Sequence, residues 1–154
     1  MTKWLIIFLL NGFILSKNVY PDNIVAVVVP KVIVQAGKHS TMLVSIEVKS
    51  GYHIQAHEVD DEFIIPTSLE IIGNNDFVIQ KQIFPPSKRF KLAGTDNYLE
   101  VYDGRFEVQI FFTTNKKIQK EIHHLKGKLS YQACDSLRCF SPKIVEFLIE
   151  VDVR

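Results

Sequence analysis

Cys134 and Cys139 are the only cysteines of the chain, and four residues, Asp135-Ser136-Leu137-Arg138, separate them. Thiols at that spacing support three chemistries: reversible thiol–disulfide exchange, a plain local disulfide, or two ligands of a metal site. The flanking residues decide how they face each other. Leu129, Tyr131 and Ala133 alternate with Ser130 and Gln132, and Val145, Phe147, Ile149, Val151 and Val153 alternate with mostly acidic positions, the period-two pattern of half-buried strands. Four residues make a hairpin loop. Cysteines on either side of it stand opposite each other, at the ~4.5 to 5.5 Å Cα separation of cross-strand neighbours and close to the range a disulfide needs.

Such a bridge is a weak staple. Closing so small a ring removes only about 2 kcal/mol of loop entropy, against about 4 to 5 kcal/mol for a ring of roughly a hundred residues. A small-ring bond at an exposed loop suits opening and closing better, because exposed or strained disulfides are the labile ones. His53 and His57 stand four apart and with the cysteines formally make a two-cysteine, two-histidine zinc set. Neither pair has finger spacing, and we expect no metal. His123-His124 would point to opposite faces of a strand and reads as solvated surface.

The elements that position these residues read as short strands. Ile24 to Val34 is valine-rich and broken by Pro30, which suits an edge strand or two short strands meeting at a kink. Met42, Val44, Ile46 and Val48 alternate up to Ser50-Gly51; Tyr52 to His57 and Phe63 to Pro66 flank the acidic loop Glu58 to Glu62. Leu69 to Ile72 is closed by the turn Gly73-Asn74-Asn75-Asp76 before Phe77 to Ile79, and Ile83-Phe84-Pro85-Pro86 ends pairing. Phe106, Val108, Ile110 and Phe112 mark a further strand. Ile118, Ile122 and Leu125 alone have helical spacing, in a segment that runs into Gly127. Many short strands with turn signals between them point to an all-β sandwich.

Composition narrows the classes further. A formal charge of +1 over 154 residues, without a long basic run, leaves no nucleic-acid footprint. Hydrophobic residues make up 47% and phenylalanine alone contributes 11 positions, which excludes a disordered chain. Met1-Thr2-Lys3, the apolar run Trp4 to Leu10 and Phe13-Ile14-Leu15-Ser16 have the charged start and short apolar core of a secretory signal over residues 1–18, cleaved near Ser16 or kept as a short anchor. The run is shorter than the ~20 residues of a membrane-spanning helix. Residues 19–154 then form one domain able to bury a core. Export to the periplasm or beyond explains the cysteines, since disulfides persist outside the cytoplasm.

Tyr131-Gln132-Ala133-Cys134 followed by Cys139-Phe140-Ser141-Pro142 resembles the active-site hairpin of the N-terminal periplasmic domain of the thiol:disulfide interchange protein DsbD. Ser50-Gly51-Tyr52-His53-Ile54-Gln55 resembles the strand beside that family's cysteines, Ile64-Ile65-Pro66-Thr67 its Ile-Pro-Thr turn, and Glu100-Val101-Tyr102-Asp103-Gly104 the strand after its cap loop. The likeness runs from about Val25 to Val153. It implies an immunoglobulin-like β-sandwich with the cysteine pair on a hairpin, and a redox-active Cys134–Cys139 disulfide needing no organic or metal cofactor. By the same resemblance Cys139 is the nucleophile and Cys134 the resolving thiol.

His53 and Gln55 match positions that are aromatic in relatives; an imidazole there stabilises a thiolate when charged or shuttles its proton when neutral, or is simply packed. Tyr131, Phe140, Phe90 and Leu92 complete the expected lining. The cap loop should fall in Lys88 to Tyr98, where Lys88, Arg89 and Lys91 replace the acidic residues of the pattern and suggest a cationic rim, although charge clusters of this size are more often solvated surface. The membrane carrier and thioredoxin-like domain of the full DsbD protein have no counterpart in this sequence. We therefore expect a monomeric module that takes reducing equivalents from a thioredoxin-like or membrane thiol donor and passes them to oxidised periplasmic thiol proteins, as in cytochrome c maturation. The rival is a non-catalytic binding domain whose local disulfide fixes a recognition loop.

Overall fold

The computed structural model describes residues 17–59 and 63–154; the signal read in residues 1–18 lies outside these except for its last two positions. The described residues contain strands and turns and no helix. The strands are β1 (Lys17–Pro21), β2 (Val25–Pro30), β3 (Val32–Val34), β4 (His39–Val48), β5 (His53–Gln55), β6 (Ser68–Ile72), β7 (Phe77–Ile83), β8 (Lys88–Lys91), β9 (Tyr98–Tyr102), β10 (Arg105–Thr114), β11 (Ile122–Tyr131), β12 (Ala133–Cys134) and β13 (Lys143–Val153). One sheet has the order β1-β2-β4-β10-β7, a second β3-β13-β11-β6, and a third β12-β5-β9-β8. Pairing is antiparallel except between β3 and β13.

The period-two pattern gives the core directly. Met42, Val44, Ile46 and Val48 of β4 face Val108, Ile110 and Phe112 of β10 on the inner side of the first sheet, while Leu125, Leu129, Val145, Phe147, Ile149 and Val151 line the second. Pro30 lacks an N–H to donate and ends β2, and after Lys31 the chain crosses to the other sheet as β3. A Cβ on Gly127 would lie 2.3 Å from the Phe147 ring, so the glycine makes room for the largest side chain of β13. The helical spacing of Ile118, Ile122 and Leu125 is not realised. Ile118 is buried in a turn, and Ile122 already belongs to β11.

The third sheet positions the cysteines, and it is built where sandwich strands change direction. β4 leads into β5 through Gly51 (φ 84°), β9 into β10 through Gly104 (φ 61°), and β11 into β12 through the single unpaired residue Gln132. Both glycines occupy the left-handed region that side chains disfavour. On the inner face of this sheet Ile54, Tyr102 and Ala133 join the core.

Candidate active site

Cys134 ends β12, opposite His53 of β5, and Cys139 returns beside it as an isolated antiparallel bridge. The amide of Asp135 donates to the Arg138 carbonyl (2.9 Å) and that of Phe140 to the Ala133 carbonyl (2.8 Å). These bonds bracket the cysteines as a non-hydrogen-bonded pair, the position where facing Cα atoms come closest. The Cα atoms are 3.9 Å apart and the sulfurs are joined as a disulfide. Asp135 closes the loop: its Oδ1 accepts from the amides of Leu137 (2.8 Å) and Arg138 (2.9 Å). Those donors hold its carboxyl below the usual range. Cys134 is fully buried, whereas Cys139 is half-buried. The two cysteines therefore differ in exposure.

Side chains directly opposite across antiparallel strands share a face, and alternate residues return to it. The register puts His53, Gln55, Cys134, Val101, Leu99 and Phe90 on one face of the third sheet. Gln55 has no solvent exposure; its Nε2 lies 3.1 Å from Cys134 Sγ and 3.7 Å from Cys139 Sγ. Its backbone is fixed on both sides, the amide donating to the Gln132 carbonyl (3.0 Å) and the carbonyl accepting from Thr67 Oγ1 (2.5 Å). Gln55 Oε1 and His53 Nε2 are buried without a hydrogen-bond partner among the described residues, a state that costs roughly 1 to 3 kcal/mol per group.

The His53 ring packs on Phe90, centroids 3.9 Å apart. Burial holds its pKa below the ordinary value, against the opposing pull of the Asp103 and Asp135 carboxylates, so the imidazole is neutral at pH values near 7. A cleft of about 650 Å³ opens beside it, lined by Tyr52, His53, Lys88, Phe90, Asp103 and Ser136 among others. The β8–β9 hairpin reaches over to the cysteine loop, where the amide of Ala93 donates to the Ser136 carbonyl (3.1 Å). A buried cysteine bonded to a partly exposed one leaves one end of the disulfide nearer the surface, and access is one of the factors that govern thiol–disulfide exchange.

The sequence model described as thiol:disulfide interchange protein DsbD, N-terminal, matches residues 23–150. The chain belongs to the DsbD N-terminal family. Among solved structures, the N-terminal periplasmic domain of ScsB from Proteus mirabilis is similar at 14% identity and TM-score 0.58, over 85% of this chain and 47% of that one. The chain thus spans about half the length of that ScsB domain. The Neisseria meningitidis DsbD n-terminal domain in the reduced form aligns at 18% identity and TM-score 0.47, over 76% of this chain and 82% of that one. No curated protein matches the chain significantly. The fold is the all-β, immunoglobulin-like sandwich of DsbD N-terminal domains, with the cysteine pair on a hairpin. A family of thiol:disulfide interchange domains and a cysteine pair joined as a disulfide together agree with thiol–disulfide exchange.

Within this DsbD N-terminal fold the expected lining residues separate. His53, Gln55 and Phe90 gather at the cysteines. Phe140 stands beside them, tilted against Tyr52 (6.1 Å) with the Arg138 guanidinium 5.2 Å from its centroid. Leu92 lies in the β8–β9 turn, lining a shallow surface pocket with Ile64, Arg89 and Tyr98. Tyr131 goes elsewhere. It is fully buried in the core and its hydroxyl donates to Asp22 Oδ2 (2.7 Å), because strand alternation puts it with Leu129 and Ala133 on the inward face, opposite to Cys134.

The cations of the β8–β9 hairpin stand exposed beside carboxylates: Lys88 pairs with Asp103, Arg89 with Glu100 (3.8 Å) while lying over Tyr98 (4.6 Å), and Lys91 with Asp96 (3.3 Å). His57 stacks on Phe84 (3.9 Å) and its Nδ1 meets the Thr67 carbonyl (2.9 Å). His123 is not merely solvated, since its Nε2 lies 2.9 Å from the Gln119 carbonyl and its ring meets Phe77 edge-on. Gln132 and Thr67 carry more of the site than their sequence context signalled. Gln132 Oε1 accepts from the Ile65 amide (3.2 Å) and its Nε2 donates to the Phe140 carbonyl (3.1 Å), while the Thr67 hydroxyl holds the Gln55 carbonyl. The Gln in Tyr-Gln-Ala-Cys and the Thr in Ile-Ile-Pro-Thr were the only local signals.

Proposed function

We propose that residues 19–154 form an exported thiol–disulfide exchange module, residues 1–18 being its secretory signal. It relays reducing equivalents from a thioredoxin-like or membrane thiol donor to oxidised periplasmic proteins through the Cys134/Cys139 dithiol. The observation that carries the reading is the unequal burial of the two cysteines on a short hairpin. In the forward step the Cys139 thiolate attacks a partner's disulfide sulfur, forming a mixed disulfide and displacing one partner thiolate. The Cys134 thiolate then attacks Cys139 Sγ, the mixed disulfide breaks, and the second partner thiolate leaves. Two electrons pass to the partner, whose thiolates take up protons from water; the donor later reverses the exchange. The periplasmic setting of the similar ScsB domain supports export.

The test is trapping. Cys134→Ala leaves a Cys139 that forms but cannot resolve a mixed disulfide, so thiol-dependent adducts with exported proteins should accumulate. Cys139→Ala should fold and trap nothing. Equal trapping by both variants, or by neither, leaves the rival binding domain with a structural bridge.

A further inference from the structure

The relay reading leaves one chemical difficulty at Cys134. The resolving step needs a thiolate, and this sulfur belongs to a fully buried residue, where burial disfavours the charged form of a thiol. The His53 ring shares its face, but burial disfavours its charged form, and Lys88, Arg89 and Lys91 stand exposed beside Asp103, Glu100 and Asp96. The polar group placed on the sulfur is the Gln55 amide nitrogen, 3.1 Å away and nearer to Cys134 than to Cys139.

A disulfide sulfur is a weak acceptor, whereas a thiolate is a strong one, and hydrogen bonds to an ionised partner are about twice as strong as neutral ones. The amide at Gln55 therefore gains most when Cys134 carries a negative charge. Its position is not incidental: the Gln55 backbone is held by Gln132 and Thr67, and the carbonyl end of the side chain has no partner among the described residues. The amide is held against sulfur by its nitrogen alone.

We infer that Gln55 is a catalytic hydrogen-bond donor for the resolving step, its Nε2–H stabilising the Cys134 thiolate that attacks Cys139 Sγ. This rests on the relay reading above and adds the group that makes a buried resolving thiol competent. No proton passes to or from Gln55. The Cys134 proton goes to solvent before attack, the Cys134–Cys139 bond forms, the Cys139–partner bond breaks, and the partner leaves as thiolate.

Reduced full-length protein mixed with dithiobis-nitrobenzoate releases one coloured thiolate on attack by Cys139 and a second when Cys134 resolves the adduct. Gln55→Met keeps the chain length and removes the donor; it should slow the second release at least about tenfold, the loss expected for a charge-assisted bond, with the first release changed less than about threefold because Cys139 attacks from the exposed side. Gln55→Leu, which fills much of the same space and removes the donor, should slow the second release at least as much. A measurement on the unsubstituted protein covers the case in which neither variant folds: the Gln55 side-chain amide resonances should move when Cys139 is alkylated and Cys134 left as thiolate. An unchanged second release in a folded variant, or unmoved amide resonances, overturns the inference while leaving the relay intact. If the unsubstituted protein releases no second thiolate, the relay reading itself falls.

Discussion

The amide of Ala93, at the turn of the β8–β9 hairpin, donates to the carbonyl of Ser136, inside the cysteine loop, at 3.1 Å. Forty-odd residues apart in sequence, these two backbone groups latch the hairpin over the disulfide. An exposed hydrogen bond contributes about 1 kcal/mol net, so the latch opens readily. Ala93→Pro removes the donor and should speed reduction by dithiothreitol about fivefold, the factor that roughly 1 kcal/mol represents. An unchanged rate would show that the hairpin does not control access.

Phe90 covers His53, and that burial keeps the imidazole pKa below 6.5. Between the folded value and 6.5 the unfolded chain binds a proton that the folded domain refuses, so stability rises with pH across that window and falls as pH drops through it. Phe90→Ala should return the His53 titration, followed by its ring proton resonances, toward 6.5. His53→Gln should flatten the dependence of the urea midpoint on pH in the same window. A His53 titration unaffected by Phe90→Ala contradicts the assignment of burial as the cause.

Tyr131 and Asp22 tie the end of β11 to the β1–β2 turn, with Lys143 Nζ 3.2 Å from Asp22 Oδ1. Burial alone would raise the Asp22 carboxyl; hydrogen bonds from Tyr131, Asn23 and Lys143 outweigh it and hold it below 3.8. The stabilisation is therefore present above that pH and lost as pH falls below it. Tyr131→Phe should cost about 1 to 2 kcal/mol in urea unfolding, as expected for a hydroxyl bonded to a partly exposed carboxylate. The kinetics of the cysteine pair should not change. A faster or slower thiol release in this variant would place Tyr131 in the site after all.

Much of the fold was legible because its cause is local. Alternation marked β4, β10, the end of β11 and β13, Pro30 marked a break that the structure uses to cross between sheets, and the cysteine spacing marked the hairpin. What escaped local reading depends on partners distant in sequence. One polar residue, Gln132, separates β11 from β12, which leaves the second sheet for the third and sets Cys134 opposite His53 of β5. Gln55 meets Cys134 across 79 positions, and no pattern within either strand announces that contact. The cations of the β8–β9 hairpin looked like a rim because their carboxylates sit on the facing strand and beyond it, at Glu100 and Asp103.

The most direct test is the reduction potential of the Cys134/Cys139 pair in the purified mature domain, equilibrated against glutathione and dithiothreitol buffers. A relay predicts reversible two-electron exchange at a potential between about −270 and −120 mV, the span from thioredoxin to the strongest periplasmic oxidant. A potential well below about −300 mV, where structural disulfides lie, would contradict it and leave a sandwich whose disulfide only shapes a loop.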